Sequence, residues 1–384
     1  MVRNFGAMRL VMNARLVVPG KLDGMGWYSY EIGRRLCAAL PDVEHHWLFD
    51  RHVDDSLIPK GVHPHVVRPP ARHPVLWHIW HQYRVPSMLR SLGASVYLSP
   101  DGFIPLTTTV PTIAVLHDIA FEREATHTRM SAGQYYRWMF PRCARRATAL
   151  VTVSEDAQRD ITSSYGIPLE RIDVVPNGVR EVFRSRTDAE RHEVRNRRNE
   201  GRPYMLFVGT VQPRKNLVRL VEAYSLAVEQ HGVDLDFVVV GGKGWRDESL
   251  RDACEASSSR HRIRFVGYVS DDVMSDWYAA AEFLAFVPLF EGFGVPIIEA
   301  FASGIPVMSS NRPPMTTIGK DAVLYVDPES VTEIAEGIAT LARSESLRRS
   351  LAERGHVQAR LYTWDASAAA MASIVRRLAP TTGI

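Results

Sequence analysis

The chain has few cysteines, no long apolar run and little net charge. Its 384 residues include only Cys37, Cys143 and Cys254, which form no CxxC pair and have no metal-ligand spacing. We therefore expect a reducing compartment and no structural zinc. No apolar run approaches the roughly 20 residues that span a bilayer, and the N-terminus lacks a signal-peptide pattern, which predicts a cytoplasmic protein. A net charge of +3 is too small to indicate nucleic-acid binding.

The sequence does contain two series of short, β-rich apolar runs separated by segments with helical spacing. The first series comprises MRLVMNARLVV, VEHHWLFD, ASVYLSP, TIAVLHD, ALVTVS and RIDVVPNGV, and the second comprises YMLFVGTV, LDFVVVGG, IRFVGYV, FLAFVPLF, IPVMSS and AVLYVDP. This alternation is typical of βα units with a parallel sheet buried on both faces. It predicts an α/β protein with two Rossmann-like domains, at residues 1–180 and 203–360.

The segments outside these series are polar or helical. Residues 181–202 are highly charged and almost without apolar periodicity, so they are interpreted as a linker with one solvated helix. Acids interspersed among its arginines argue against a nucleic-acid-binding arm. Residues 361–384 have helical spacing, and Trp364 indicates a final helix packed against another element.

The stretch EGFGVPIIE, from Glu291 to Glu299, places two carboxylates around a turn suited to phosphate. Gly292 and Gly294 can adopt positive φ, and the following residues predict a helix whose first amides favour an anion. Carboxylates repel phosphate, so they should face hydroxyl groups of the same ligand. A nucleotide-sugar has this anatomy, with a diphosphate between a ribose and a sugar. A glycosidase pair is the main functional alternative, although its substrates carry no diphosphate, and Glu299 could merely solvate a helix turn.

This stretch resembles the E-x7-E signature of the retaining glycosyltransferases of family 4, which have the GT-B fold. GTVQPRKNLVRLVEAY, FVGYVSDD, VLHDIAF and VVPNGV also match the family in its usual order, over nearly the whole chain. The resemblance implies two Rossmann-like domains with parallel sheets facing a central crevice. The first domain would bind the acceptor and the second the donor. It also implies that the final helix crosses back to the first domain. QPRKN and SNRPPMTTIGKDAVLYVDP are similar to mannosyltransferases of bacterial polysaccharide assembly.

Five residues are candidates for catalysis: His117, Asp118, Arg214, Lys215 and Glu291. The resemblance implies that Glu291 lies near the transferred sugar and that Glu299 accepts hydrogen bonds from ribose hydroxyls. Arg214 and Lys215 follow a strand, at the expected start of the next helix, and can neutralise a diphosphate leaving group. His117 and Asp118 end the strand TIAVLHD, where the family's matching histidine orients the sugar; a buried core histidine is the alternative.

Further candidates are expected to bind the donor. Gly24 and Gly26, between the first strand and the first helix, resemble the family's glycine-rich loop, although a tight turn explains them too. Some relatives carry an arginine where this chain has Thr210. A turn role is expected for Gly241, Gly242 and Gly244. The complete donor-binding set is Gly24, Gly26, Asn177, Thr210, Tyr268, Val269, Gly292, Phe293, Gly294, Val295 and Glu299.

The resemblance implies a metal-independent hexosyltransferase that retains anomeric configuration and needs no cofactor beyond its nucleotide-sugar co-substrate. GDP-mannose is the favoured donor, and a glycan or lipid-linked glycan of a cell-surface polysaccharide is the acceptor. A UDP-sugar-dependent glucosyl- or N-acetylhexosaminyltransferase is the first alternative, followed by an epimerase, a phosphorylase carrying pyridoxal phosphate, and a non-catalytic sugar-nucleotide-binding protein. The aromatic, basic residues 74–92 indicate either contact with the inner face of the membrane or core packing.

Overall fold

The computed structural model of the chain describes residues 8–18, 20, 22–123, 130–242 and 248–379. The chain forms two compact units. The first contains the chain up to Asn177 and again from Trp364 onward, and the second is Gly178–Thr363. The first boundary, after Asn177, lies three residues before the predicted boundary at 180. The second boundary, after Thr363, lies three residues after the predicted boundary at 360.

The first unit is built on a seven-stranded parallel sheet in the order β3-β2-β1-β4-β5-β6-β7. Its strands are β1 (Arg9–Asn13), β2 (Glu44–Phe49), β3 (Val62–Val66), β4 (Val96–Ser99), β5 (Thr112–Leu116), β6 (Ala149–Thr152) and β7 (Ile172–Val174). The helices before β7 are α1 (Gly24–Ala39), α2 (Pro74–Ile79), α3 (Val85–Ser91), α4 (Ala120–Arg123), α5 (Met130–Arg146) and α6 (Glu155–Tyr165). A π-helical turn, Trp80–Arg84, joins α2 to α3.

The second unit has a six-stranded parallel sheet in the order β10-β9-β8-β11-β12-β13. Its strands are β8 (Tyr204–Val208), β9 (Asp236–Val240), β10 (Ile263–Gly267), β11 (Phe283–Phe286), β12 (Val307–Ser310) and β13 (Val323–Val326). Its helices are α7 (Asp188–Asn199), α8 (Leu217–His231), α9 (Glu248–Ala256), α10 (Asp271–Ala280), α11 (Val295–Ala302), α12 (Met315–Gly319), α13 (Val331–Arg343) and α14 (Glu345–Ala359). The predicted pair of Rossmann-like, parallel-sheet domains is confirmed.

Strand β3 is the one strand of the described chain that the apolar pattern did not predict. Its sequence, VHPHV, contains a proline and two histidines, and most of its side chains are exposed or half-buried. It pairs only with β2, at the edge of the sheet. Edge strands tolerate proline and polar residues because one side has no neighbouring strand to receive hydrogen bonds.

The segment at 181–202 is not a free linker. Its helix α7 begins with a capping box between Thr187 and Glu190. The arginines of α7 hold it to the second unit: Arg197 and Arg198 each donate to Asp276 of α10 at 2.8 Å, and Arg195 donates to the carbonyl of Ala280 at 2.9 Å. The absence of apolar periodicity was misleading because polar contacts, rather than an apolar stripe, anchor this helix.

The last described helix, α15 (Trp364–Leu378), packs on α1 of the first unit. Trp364 is buried, and its ring meets the edge of Tyr28 at 5.8 Å. The hydroxyl of Ser367 donates to the carbonyl of Pro176 at 2.7 Å. Within the described ranges, no helix is both long and apolar enough to cross a membrane.

Both tryptophans of residues 74–92 pack in the core of the first unit. Trp80 is fully buried and donates its indole N–H to the carbonyl of Val67 at 2.8 Å. Trp77 is partly buried and donates to the carbonyl of Ala71 at 2.7 Å. The two tryptophans therefore fit the core alternative rather than a membrane-facing surface.

Candidate functional site

The strand order of the second sheet changes direction between β8 and β11. Strands β9 and β10 follow on the side of β8, and β12 and β13 follow on the side of β11. Ligands of open α/β sheets bind beside the carboxyl ends of the strands at such a switch point. The segment after β8 carries Arg214 and Lys215, and the segment after β11 carries Glu291. The topology thus brings three of the predicted catalytic residues to one place.

These three side chains form a buried ion triplet. Oε1 of Glu291 accepts a hydrogen bond from Nη1 of Arg214 at 2.8 Å and forms an ion pair with Nζ of Lys215. Burial raises the pKa of Glu291, but the attraction of Lys215 and Arg214 outweighs burial, so the pKa lies below its ordinary value. Two cations share one carboxylate, which leaves an excess positive charge suited to an anion.

The backbone around the triplet is held by Asn216. This residue adopts a left-handed conformation, with φ of 62°, directly after the 3-10 turn Pro213–Lys215. Its side-chain amide donates to the carbonyls of Val287 at 3.1 Å and Pro328 at 2.7 Å. Arg214 and Lys215 were expected at the start of a helix, but they lie on this turn before α8. Sequence reasoning missed Asn216, although asparagine tolerates left-handed turns better than most residues.

Glu299 lies in α11 and is bound by a second set of side chains. Its Oε1 accepts from Nη2 of Arg180 at 2.9 Å, and its Oε2 accepts from the hydroxyl of Tyr278 at 3.0 Å. Burial raises the pKa of Glu299, and Arg180 and Tyr278 oppose this without reversing it.

Between the two glutamates, the chain enters α11 through Gly294. Its φ of 103° is in the region that favours glycine, as expected for a turn that presents helix amides. Phe293 is buried, with its ring against the edge of Tyr362 at 5.6 Å. The predicted contact of Phe293 with a donor would therefore involve its backbone rather than its ring. Gly292 and Val295 belong to the same turn.

Other predicted donor-binding residues follow strands of the same sheet. Thr210 is exposed after β8, and Tyr268, which is 60% exposed, and Val269 come directly after β10. Gly241 fulfils its turn role with φ of 122°, and a Cβ there would lie 2.2 Å from the carbonyl oxygen of Gly209. Gly242 lies in a bend, whereas Gly244 falls outside the described residues.

In the first unit, His117 follows β5 and is bonded through one ring nitrogen. Its Nε2 lies 2.9 Å from the carbonyl oxygen of Pro100, which can only accept, so Nε2 carries the proton and Nδ1 has the free lone pair. Burial lowers the pKa of His117 and favours this neutral form. Oδ1 of Asp118 accepts from the amide of Ala120, the first residue of α4, at 3.1 Å.

The expected glycine loop is instead the first turn of α1, which begins at Gly24. The amide of Gly26 donates to Oδ1 of Asp23 at 2.9 Å and is therefore already engaged by the N-cap. A Cβ on Gly26 would lie 2.8 Å from the carbonyl oxygen of Leu16, whereas Gly24 has open space around it. Close packing explains Gly26, so the expectation of a loop before the helix was wrong. Asn177 is buried and is the last residue of this stretch of the first unit.

Sequence reasoning also missed a buried polar cluster at the switch point of the first sheet, between β1 and β4. Nε of Arg15 donates to Oδ2 of Asp101 at 2.5 Å, and Ser99 donates to Oδ1 at 2.9 Å. Burial alone would raise the pKa of Asp101, but the attraction of Arg15 and His81 outweighs burial and lowers the pKa to about 2. His81 is fully buried, and burial lowers its pKa to about 3. Neither a motif nor periodicity marks this cluster.

Within the described ranges, no three or more His, Cys, Asp or Glu side chains are grouped so that they could hold a metal ion.

The structure brings together Arg214, Lys215 and Glu291, and it places Glu299 in a separate contact set on α11. His117 and Asp118 lie in the first unit. The roles of these residues remain predictions, as does metal independence.

Comparison with protein families assigns a domain to each unit. Residues 22–181 match Glycosyltransferase Family 4, and residues 188–358 match Glycosyl transferases group 1. The chain is 28% identical over 359 residues to O-antigen chain mannosyltransferase B of Escherichia coli, covering 90% of this chain and 93% of that protein. It is 27% identical over 307 residues to a D-inositol 3-phosphate glycosyltransferase of Corynebacterium glutamicum, covering 77% and 70%.

A solved structure supports the fold. Anabaena Alr3699/HepE, in complex with UDP and glucose, superposes with a TM-score of 0.75 at 15% identity, over 96% of this chain and 99% of that one. At that identity the likeness concerns the fold alone. Together, the two parallel-sheet units and the two matched domains show that this chain is a glycosyltransferase of the GT-B fold, with a Glycosyltransferase Family 4 domain followed by a Glycosyl transferases group 1 domain.

Proposed function

We propose that the chain transfers mannose from GDP-mannose to a glycan or lipid-linked glycan in cell-surface polysaccharide assembly, with retention at the anomeric carbon. The observation that carries this proposal is the ion triplet of Arg214, Lys215 and Glu291 at the switch point of the second sheet. It combines a surplus of positive charge with a carboxylate. The similarity to an E. coli O-antigen mannosyltransferase supports the choice of sugar and of acceptor class.

The proposed chemistry follows from this charge arrangement. The bond between the anomeric carbon and the diphosphate oxygen breaks, the oxygen of an acceptor hydroxyl bonds to the anomeric carbon, and the proton of that hydroxyl passes to the leaving diphosphate. Negative charge grows on the diphosphate as the bond breaks, and Arg214 and Lys215 stabilise that charge without reorganisation. We assign these cations the task that a metal ion performs in other transferases, so activity should persist in EDTA.

The test combines ligand screening with transfer. Thermal-shift measurements with GDP, UDP, dTDP and ADP identify the base, and we expect GDP to stabilise the chain most. Incubation with GDP-mannose and a mannose-terminated lipid-linked acceptor should yield a product whose anomeric configuration, read by NMR coupling constants, equals that of the donor. Stabilisation by UDP alone would favour a UDP-sugar donor, and an epimerised sugar without acceptor would favour an epimerase. Inverted configuration would contradict retention.

Peripheral membrane contact is a second part of the proposal, but it involves other side chains than Trp77 and Trp80. Tyr83 and Trp138 are 64% and 44% exposed, and both rings lie within about 6 Å of His78. The guanidinium of Arg142 lies 4.8 Å from the Trp138 ring centroid. Aromatic and cationic side chains of this kind favour an anionic interface. Co-sedimentation with phosphatidylglycerol vesicles, lost in Trp138→Ala and absent with phosphatidylcholine vesicles, would support it; no binding to either would refute it.

A further inference from the structure

Arg180 links the predicted ribose-binding carboxylate of Glu299 to a second helix. It follows Val179, whose amide donates to the carbonyl of Tyr362 at 2.9 Å and fixes the backbone. From there, Nη2 of Arg180 donates to Oε1 of Glu299 at 2.9 Å, and Nη1 donates to Oδ1 of Asp271 at 2.5 Å. The guanidinium thus connects α11 with the first turn of α10.

Aromatic packing holds this guanidinium in place. Its central carbon lies 4.7 Å from the centroid of the Phe183 ring, and Phe183 meets the edge of Tyr278 at 5.2 Å. The same Tyr278 donates its hydroxyl to Oε2 of Glu299 at 3.0 Å. Each oxygen of the carboxylate therefore has a donor on a packed side chain, which fixes the rotation of the carboxylate.

This arrangement leaves room for two further donors. An ionised carboxylate offers about four acceptor positions. Among the residues that the structure describes, Arg180 and Tyr278 occupy one on each oxygen, which leaves one on each. A vicinal diol, with two neighbouring O–H donors, is the ligand group that matches such a pair.

Ionisation of Glu299 depends on the same neighbours. Burial raises its pKa, Arg180 and Tyr278 lower it, and Asp271 raises it. Arg180 is the cation of this group, with its side chain only 12% exposed. Without it, the buried carboxyl would favour the protonated form, which has less capacity to accept hydrogen bonds.

We propose that Arg180 is a positioning residue that keeps Glu299 ionised and oriented to accept both hydroxyls of the donor ribose. This inference rests on the proposed function, because it assumes a nucleotide ligand at Glu299. A purely structural role, in which Arg180 only ties α10 to α11, makes a different prediction. Structural loosening would weaken every nucleotide alike, whereas loss of positioning weakens only those that carry the diol.

The test is therefore a ligand-by-variant comparison in calorimetry. GDP and UDP are each measured beside their 2′,3′-dideoxy counterparts, with wild type and Arg180→Met. We expect wild type to prefer the ribose form of its nucleotide by about 10- to 100-fold, as two charge-assisted hydrogen bonds warrant. In Arg180→Met, the ribose form should bind no more than a few-fold more tightly than the dideoxy form.

Two further variants separate charge from structure. Arg195→Met breaks a comparable pair in the same unit, since Arg195 lies 2.8 Å from Glu282 and both side chains are mostly buried; it should keep the wild-type preference. Arg180→Lys should restore part of the preference, because it returns the charge without the planar fork. As the pH is lowered, the preference should also be lost at a higher pH in Arg180→Met than in wild type, since protonated Glu299 has less capacity to accept hydrogen bonds.

The outcomes distinguish the two levels of the proposal. If wild type binds neither GDP nor UDP, the proposed function fails. If wild type prefers the ribose form and Arg180→Met keeps that preference at every pH, the function stands and the role of Arg180 is refuted. If Arg180→Met does not fold, Arg180→Gln, which also removes the charge, takes its place, and an unchanged preference at every pH in that variant refutes the role as well.

Discussion

Replacing Glu291 by glutamine removes the negative charge from the ion triplet while nearly preserving its shape. The side chains of Glu291, Lys215 and Arg214 are only 9%, 10% and 19% exposed, so solvent screens the remaining cations poorly. Breaking a buried pair by removing one partner costs about 3–5 kcal/mol. Arg214 keeps a hydrogen bond to Gln212 at 3.0 Å, which favours the lower end, about 3 kcal/mol. For a unit of this size, the melting temperature should fall by about 6–12 °C.

The effect on anion binding should have the opposite sign. In wild type, a diphosphate competes with Glu291 for the two cations. In Glu291→Gln the cations face the ligand alone, so bound GDP or pyrophosphate recovers part of the lost stability through linkage. We therefore expect a lower melting temperature without ligand and a larger ligand-induced rise than in wild type.

Differential scanning fluorimetry with and without pyrophosphate and GDP measures both quantities. Glu345→Gln is the matched control, because its partner Arg349 is exposed and the pair contributes little. A ligand-induced rise equal to or smaller than that of wild type would refute the competition between Glu291 and diphosphate. An unchanged melting temperature without ligand would refute the energetic weight given to the triplet.

Three further predictions concern single residues. Glu299→Ala should weaken nucleotide-sugar binding by about 1–3 kcal/mol through lost charge-assisted hydrogen bonds, and unchanged affinity in calorimetry would contradict this. Lys215→Ala should lower kcat more than it changes donor affinity, and equal effects in steady-state kinetics would argue against transition-state stabilisation. The pKa of His81 is about 3 in the folded chain and about 6.5 in the unfolded chain. As the pH falls from 6.5 to 3, His81 should therefore lower the free energy of unfolding by about 1.4 kcal/mol per pH unit. The contribution is complete above pH 6.5, and His81→Leu should flatten this slope in urea denaturation, whereas the exposed His52→Leu should leave it unchanged.

The strands were largely predictable because parallel strands buried on both faces appear as continuous apolar runs. All strands of the second unit, and all but β3 of the first, coincide with such runs. Strand β3 lacks this signal because it lies at an edge, and α7 lacks it because arginines rather than apolar side chains anchor it. Helix α11 begins after Gly294, as its turn residues indicate, since left-handed backbone leaves a local signature.

The partners of the charged residues were not predictable in this way. Glu291 was expected to face a sugar and Arg214 and Lys215 to face phosphate, and these roles stay predictions. The sequence did not indicate that the three side chains also pair with one another. The cluster of Arg15, Asp101 and His81 has no motif, although topology places it at the corresponding point of the first sheet.

The sequence by itself determined the two α/β series, the glycine turn before α11 and the supply of carboxylates and cations at strand ends, because each depends on neighbours along the chain. Tertiary structure decided which charges meet. Arg214 and Glu291 are 77 positions apart, Arg180 and Glu299 are 119, and Arg15 and Asp101 are 86. Such pairs form only once strand order and register bring distant segments to one edge of a sheet, and apolar periodicity along a single segment carries no information about that order.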